Sequence, residues 1–212
     1  GQIVAQLEKS GVRDNTLILF TGDNGTDKPI VTPWNGTKVV GGKGTMSDTG
    51  TRVPMIASWP AGIRKPGRVV DDLVEFTDML PTLCEVSGAD LPKDHPSDGA
   101  SILPVLRNQA DIRKKDWIYI WYRGQIMVRN KQYSLLAKTD GGNATLTRFK
   151  GPFDGKKLMD SKLTAAQRAL KDQFEATLTQ LAKTRLSGVS KEVRAQIEKP
   201  KKNKKPKNQG KK

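Results

Sequence analysis

The chain is poor in the residues that build metal cages and covalent staples. It has one cysteine, Cys84, and one histidine, His95, in 212 residues. A single thiol excludes an internal disulfide and any multi-cysteine zinc cage made within the chain. Aromatics make up only 6% of the sequence and hydrophobic residues 35%, too little for every segment to join a packed core. No apolar run is long enough to cross a bilayer. There is no signal peptide, but the chain opens on Gly1 rather than Met, so this absence excludes no compartment. Acidic residues are missing altogether from residues 199–212, KPKKNKKPKNQGKK, where eight lysines carry +8 of the formal +15. The other 198 residues carry a modest +7. The simplest reading of the lysine run is a disordered, solubilising tail. The alternative is a polyanion-binding arm driven by counterion release. No zinc-finger or RNA-binding word accompanies it, which disfavours nucleic acid as a partner.

What is present has an α/β cadence. Ile3, Val4 and Leu7 lie at helical spacing, and Ser10-Gly11 stops that helix. Asp14-Asn15 turns into Thr16–Thr21, whose continuously apolar LILF predicts a strand buried on both faces. Residues 25–52 are rich in Gly, Thr, Asp and Pro without useful periodicity and predict a long loop. VPMIASWP, residues 53–60, predicts a second short buried strand. Leu73, Phe76, Leu80 and Leu83 mark one face of a helix opened by Thr77 or Asp78 and closed by Gly88. Beyond residue 110, DWIYIWY, IMVR, QYSLLAK and TLTRF predict a small antiparallel sheet. Thr164-Ala-Ala-Gln167 is a capping box opening a helix with Leu170, Phe174, Leu178 and Leu181 on one face. A short helix near 190–198 is expected before the tail. The expected division is 1–110, an α/β domain; 111–186, a small α+β subdomain; and 187–212, a short helix and tail.

The first strand ends in Asp23-Asn24-Gly25. Asn-Gly is a strong turn dipeptide, and Asp with Asn is also a pair of hard oxygen ligands for a cation. Both readings stand on these residues alone. Nineteen residues after Asn24 comes Lys43, flanked by glycines in GGKG. It is not a phosphate-binding P-loop. From Gly36 the frame reaches Gly41 and then Gly42 where Lys is needed; from Gly42-Lys43 it puts Thr37 at the first glycine and Gly44 after the lysine. What remains is a point charge on a backbone that a ligand can approach closely. A cation site and a lysine aimed at one loop suit an anionic group whose charge changes during reaction.

The words TLILFTGDNG, GGKGTMSDTGTRVPMIASWPAG, VEFTDMLPTL with SGADLP, and DGASILPVL, in that order over residues 16 to about 106, resemble the C-terminal portion of sulfatases. These belong to the alkaline-phosphatase-like superfamily. The resemblance implies an α/β sandwich with flanking helices, followed by a small antiparallel sheet packed with a helix. It implies that Asp23 and Asn24 supply oxygens to Ca2+ (Mg2+ in some members), and that Lys43 is a catalytic residue that holds a sulfate oxygen of the substrate. Asp48-Thr49-Gly50 stands where many members have Glu-Gly-Gly, and Arg52 fits the pattern but reads as a loop-tying residue.

The departures are informative. The family's nucleophile is a formylglycine made from Cys or Ser in C/S-x-P/A-x-R. Cys84 is followed by Glu-Val-Ser-Gly and reads as core, while Ser87-Gly-Ala-Asp-Leu91 ends in Leu where Arg is required. No nucleophile is therefore expected here; it and the paired aspartates of the metal site would precede residue 1. Asp71-Asp72 reads as a helix-capping pair, and His95 as a surface residue. The expectation is a sulfuric ester hydrolase portion, incomplete alone, acting on a sulfated small molecule or glycan in a periplasmic or secreted setting. The alternatives are a related phosphodiesterase or phosphonate hydrolase, and a non-enzymatic polyanion binder working through the tail.

Overall fold

A computed structural model describes residues 1–93, 97–109 and 116–184. His95, the expected boundary near residue 110, the short helix near 190–198 and the lysine tail lie outside the described residues. Helix α1 (Gln2–Lys9) leads through a turn into β1 (Ile18–Thr21), which pairs antiparallel with β4 (Met55–Ser58). The register sets Phe20 opposite Ile56 and Thr21 opposite Met55. The expectation of a strand buried on both faces is not met. β1 has one strand neighbour, and the Phe20/Ile56 pair stands about 60% exposed on the outer face. The amphipathic α1 likewise buries none of its residues.

The long loop holds regular structure that its composition conceals. β2 (Val31–Trp34) and β3 (Thr37–Val40) form a hairpin closed by Asn35-Gly36, both at positive φ. That is the left-handed pair a two-residue turn demands. A single helical turn, α2 (Asp48–Thr51), follows.

Residues 71–75 form no regular element, so Asp71-Asp72 does not open a helix. Asp72 instead pairs with Lys131 at 2.7 Å on the surface. The helical stretch starts with a 3-10 turn at Phe76–Asp78, capped by Glu75, and continues as α3 (Met79–Ser87) to Gly88 at φ 72. Its apolar stripe is not core: Phe76, Leu80 and Leu83 are each roughly half exposed, and Cys84 is only partly buried. The buried side is polar. Asp78 is fully buried, and its carboxylate accepts from Glu75 N–H at 2.9 Å and Ala100 N–H at 2.8 Å. Thr82 Oγ1 accepts from Ile102 N–H at 3.0 Å. These bonds tie the segment 99–102, and through it α4 (Leu103–Leu106), to α3. Satisfied polar groups of this kind fix one geometry where an apolar contact would tolerate several.

The C-terminal part is an antiparallel meander in the order β5-β6-β7-β8-β9: Ile118–Tyr122, Gln125–Arg129, Tyr133–Lys138, Thr145–Arg148 and Lys156–Lys157. Alternation puts Ile126, Val128, Leu135, Ala137 and Leu146 on one face, where Phe174 and Leu178 of α5 (Ala165–Thr184) complete the core. The capping box is present, with Thr164 N–H donating to Gln167 Oε1 at 3.0 Å and Gln167 N–H to Thr164 Oγ1 at 3.2 Å. The opposite face carries Tyr122, Met127, Arg129 and Ser134 toward the N-terminal part, as the register requires. Leu135→Ala should lower stability by about 2–5 kcal/mol, because its side chain is wholly enclosed. Leu80→Ala should change it by no more than about 0.5 kcal/mol. Urea denaturation of both variants measures the contrast.

Candidate active site

Two loops meet at the end of β1, and glycines let them meet. Gly25 N–H donates to Gly50 O at 3.0 Å, and Lys43 N–H donates to Thr26 O at 3.0 Å. A Cβ on Gly25 would overlap the Thr49 carbonyl, one on Gly42 the Thr49 side chain, and one on Gly50 the Thr45 carbonyl. The 22–26 and 41–51 segments thus pack backbone on backbone, at a separation only glycine permits. The contact brings Lys43 beside the residues that follow Asn24, as the sequence suggested.

The Asn-Gly turn is absent here. Neither Asn24 nor Gly25 has a positive φ, and neither the Asp23 nor the Asn24 side chain makes a hydrogen bond with any described residue. Gly25 is required by close approach rather than by turn geometry. Asp23 is exposed and Asn24 half-buried, leaving three side-chain oxygens and an amide nitrogen open at the strand end. The Lys43 ammonium is also exposed, with no ion-pair or hydrogen-bond partner among the described residues. One ammonium and two oxygen-bearing side chains are therefore displayed beside a close-packed backbone clasp.

The loop is anchored from the far side. Asp48, at the first position of α2, is buried and forms an ion pair with buried Arg129 of β6. Its second oxygen accepts from Phe153 N–H at 3.2 Å. The Arg129 guanidinium lies 3.9 Å from the Phe149 ring centroid, a cation–π contact strengthened by exclusion from water. Trp34 of the hairpin meets Phe153 edge-on at 5.7 Å. Sequence reasoning missed this junction, since no local pattern links Asp48 to an arginine 81 positions away. Arg52, expected to tie the loop, is exposed and has no side-chain partner among the described residues; Asp48 does that work.

Residues 1–89 match the family model named Sulfatase. That segment, 89 of the 212 residues, is similar to sulfatases. The chain is 34% identical to mouse steryl-sulfatase over 125 residues, which is 56% of this chain and 20% of that protein. It superposes on a 2-O GAG sulfatase with a TM-score of 0.60 at 25% identity, covering 84% of this chain and 40% of that one. A phosphonate monoester hydrolase from Silicibacter pomeroyi shares the fold at 20% identity, with a TM-score of 0.56 over 91% of this chain and 39% of that one. The chain spans about a fifth of the length of the curated relatives it matches.

Within this sulfatase-like segment, the two remaining hydroxyl and thiol candidates are placed as structural residues of α3. Ser87 Oγ donates to the Leu83 carbonyl at 2.8 Å, and Cys84 sits mid-helix in α3. Among the described residues, no group of three or more His, Cys, Asp and Glu is arranged to hold a metal. The glycine clasp gives a direct test. Gly25→Ala should destabilise the protein by about 1–3 kcal/mol through forced displacement of α2. Gly151→Ala, whose Cβ would meet only the Asp154 carboxylate at 3.9 Å, should stay within about 0.5 kcal/mol. Thermal melts of the two variants against the parent chain decide it.

Proposed function

We propose that the protein to which this chain belongs hydrolyses sulfate esters of a sulfated small molecule or glycan, with Asp23, Asn24 and Lys43 as this chain's share of the site. The observation that carries the reading is the trio of side chains beside a glycine clasp with no partner among the described residues. Two hard oxygen donors suit Ca2+ or Mg2+, although calcium takes about six to eight oxygens, so further ligands must come from beyond these two. A bound cation would draw charge from a sulfate oxygen. Lys43 would hold another oxygen by a charge-assisted hydrogen bond, which strengthens as negative charge grows there. Gly44, exposed beside Lys43, leaves that ammonium open to the ester. No residue described here fits the formylglycine word, and no step is assigned to one.

A phosphonate or phosphodiester hydrolase is the second reading, supported by the shared fold. The single Asp-Asn pair followed by lysine favours sulfate, because metal-binding histidines are lacking among the described residues. Turnover of a chromogenic aryl sulfate and of a phosphonate monoester by the full-length protein, run side by side, separates the two. Preference for the phosphonate would overturn the sulfatase reading.

Two substitutions test the roles. In the full-length protein, Lys43→Ala should lower kcat by about a hundredfold or more, as loss of an oxyanion donor does, while the melting temperature hardly moves because the side chain is exposed. Unchanged turnover would remove Lys43 from the site. Asp23→Ala should weaken calcium binding in isothermal titration by at least about tenfold; unchanged affinity would show that the cation sits elsewhere.

A further inference from the structure

The turn 47–51 touches both sides of the site. Gly50 O holds the Gly25 amide, one residue beyond Asn24, and Thr49 packs on Gly42, one residue before Lys43. Whatever fixes that turn fixes the spacing of Asp23 and Asn24 from Lys43. The turn has local fastenings, a hydroxyl chain Thr45–Ser47–Thr49 at 2.7 and 3.0 Å and the Thr51 hydroxyl on the Ser47 carbonyl. Its long-range side-chain fastening is Asp48, held by Arg129 and by the Phe153 amide. A second contact from the same sheet face falls next to Lys43, where the Tyr122 hydroxyl lies 3.6 Å from the position a Gly44 Cβ would take.

We infer that Arg129 is a positioning residue for the anion site, acting through Asp48, so that the C-terminal sheet sets the geometry of a site to which it gives no ligand. The chemistry favours such a role over one of bulk stability. Arg129 is 7% exposed and Asp48 8%; a buried pair is repaid little in net stability but is demanding in geometry. Its planar guanidinium is held by Asp48 and by the Phe149 ring. Arg129 Nε has no partner among the described residues, so the Asp48 contact carries the polar part of that placement. Lysine could supply the charge there but not the plane.

Hydrogen exchange followed by NMR tests this on the 212-residue chain, independently of any activity. In Asp48→Asn and in Arg129→Met, the Gly25 and Lys43 amides should exchange at least about tenfold faster, while the Val128 and Leu135 amides of the sheet keep their rates. Unchanged exchange at Gly25 and Lys43 in both variants overturns the inference. So does equal acceleration throughout the sheet, which would make the pair a general staple of the fold. A second arm rests on the sulfatase reading. In the full-length protein, Asp48→Asn should cut kcat about tenfold to a hundredfold with KM nearly constant, the signature of a misplaced group that acts in the transition state. Asp48→Glu should recover part of that loss. If the parent protein turns over no sulfate ester, the sulfatase reading fails while the exchange result still judges the positioning role.

Discussion

The ion pair between Asp48 and Arg129 is the contact on which the proposed site's geometry rests, because it joins the N-terminal part to the C-terminal sheet in a buried setting. Other links are present. One is the surface pair Asp72–Lys131, which is exposed and screened. Another is the bond from Tyr119 N–H to Glu75 Oε2 at 3.0 Å. The Trp34–Phe153 edge contact is apolar and adaptable. The Asp48 carboxylate, itself buried, receives both a guanidinium and a backbone amide from the C-terminal part. Burying two charges costs several kcal/mol per ion, which the pairing repays only in good geometry. The net gain is therefore small, and the penalty for misalignment is large. That asymmetry makes the pair a locator.

The glycine clasp converts this fixed point into a site. Close backbone packing satisfies the amides of Gly25 and Lys43 inside the protein, so the adjacent side chains are not needed for turn formation or capping. Asp23, Asn24 and Lys43 are left with unspent hydrogen-bonding and charge capacity. Structure elsewhere in the chain uses such groups up: Asp78 and Thr82 are consumed by the tie to residues 99–102, Asp48 by its anchor, and Ser87 by its own helix. The contrast between spent and unspent polar groups sets the site apart from equally polar regions.

The N-terminal part also shows apolar surface that its own elements leave open, at Phe20, Ile56, Leu80 and Leu83. The C-terminal sheet, by contrast, closes its core with α5, helped by Leu158 and Leu163. The chain spans only about 40% of the superposed 2-O GAG sulfatase. The two parts accordingly differ in self-sufficiency: a meander with a covering helix buries its face locally, whereas a two-stranded ribbon cannot.

Much was legible from the sequence because it is local. Alternation and turn residues specified the strands of the small sheet, the Thr164–Gln167 box specified the start of α5, and word order carried the likeness to sulfatases and the nearness of Lys43 to the segment after Asn24. The Asn35-Gly36 hairpin was equally local and was masked only by Pro33 and the glycine-rich setting. Other features had no local signature. Apolar spacing in α3 marked a face but could not say whether anything covers it, so Cys84 and its neighbours read as core and are not. Asp71-Asp72 resembled a cap because acidic pairs favour helix starts, yet Glu75 holds that place and Asp72 reaches Lys131. Whether Asn24-Gly25 turns or approaches, and which residue ties the lysine loop, depended on partners 25 and 81 residues distant. Propensity and periodicity act over a few residues; carbonyl contacts and buried charges are chosen by the packed chain, and only the tertiary structure decides them.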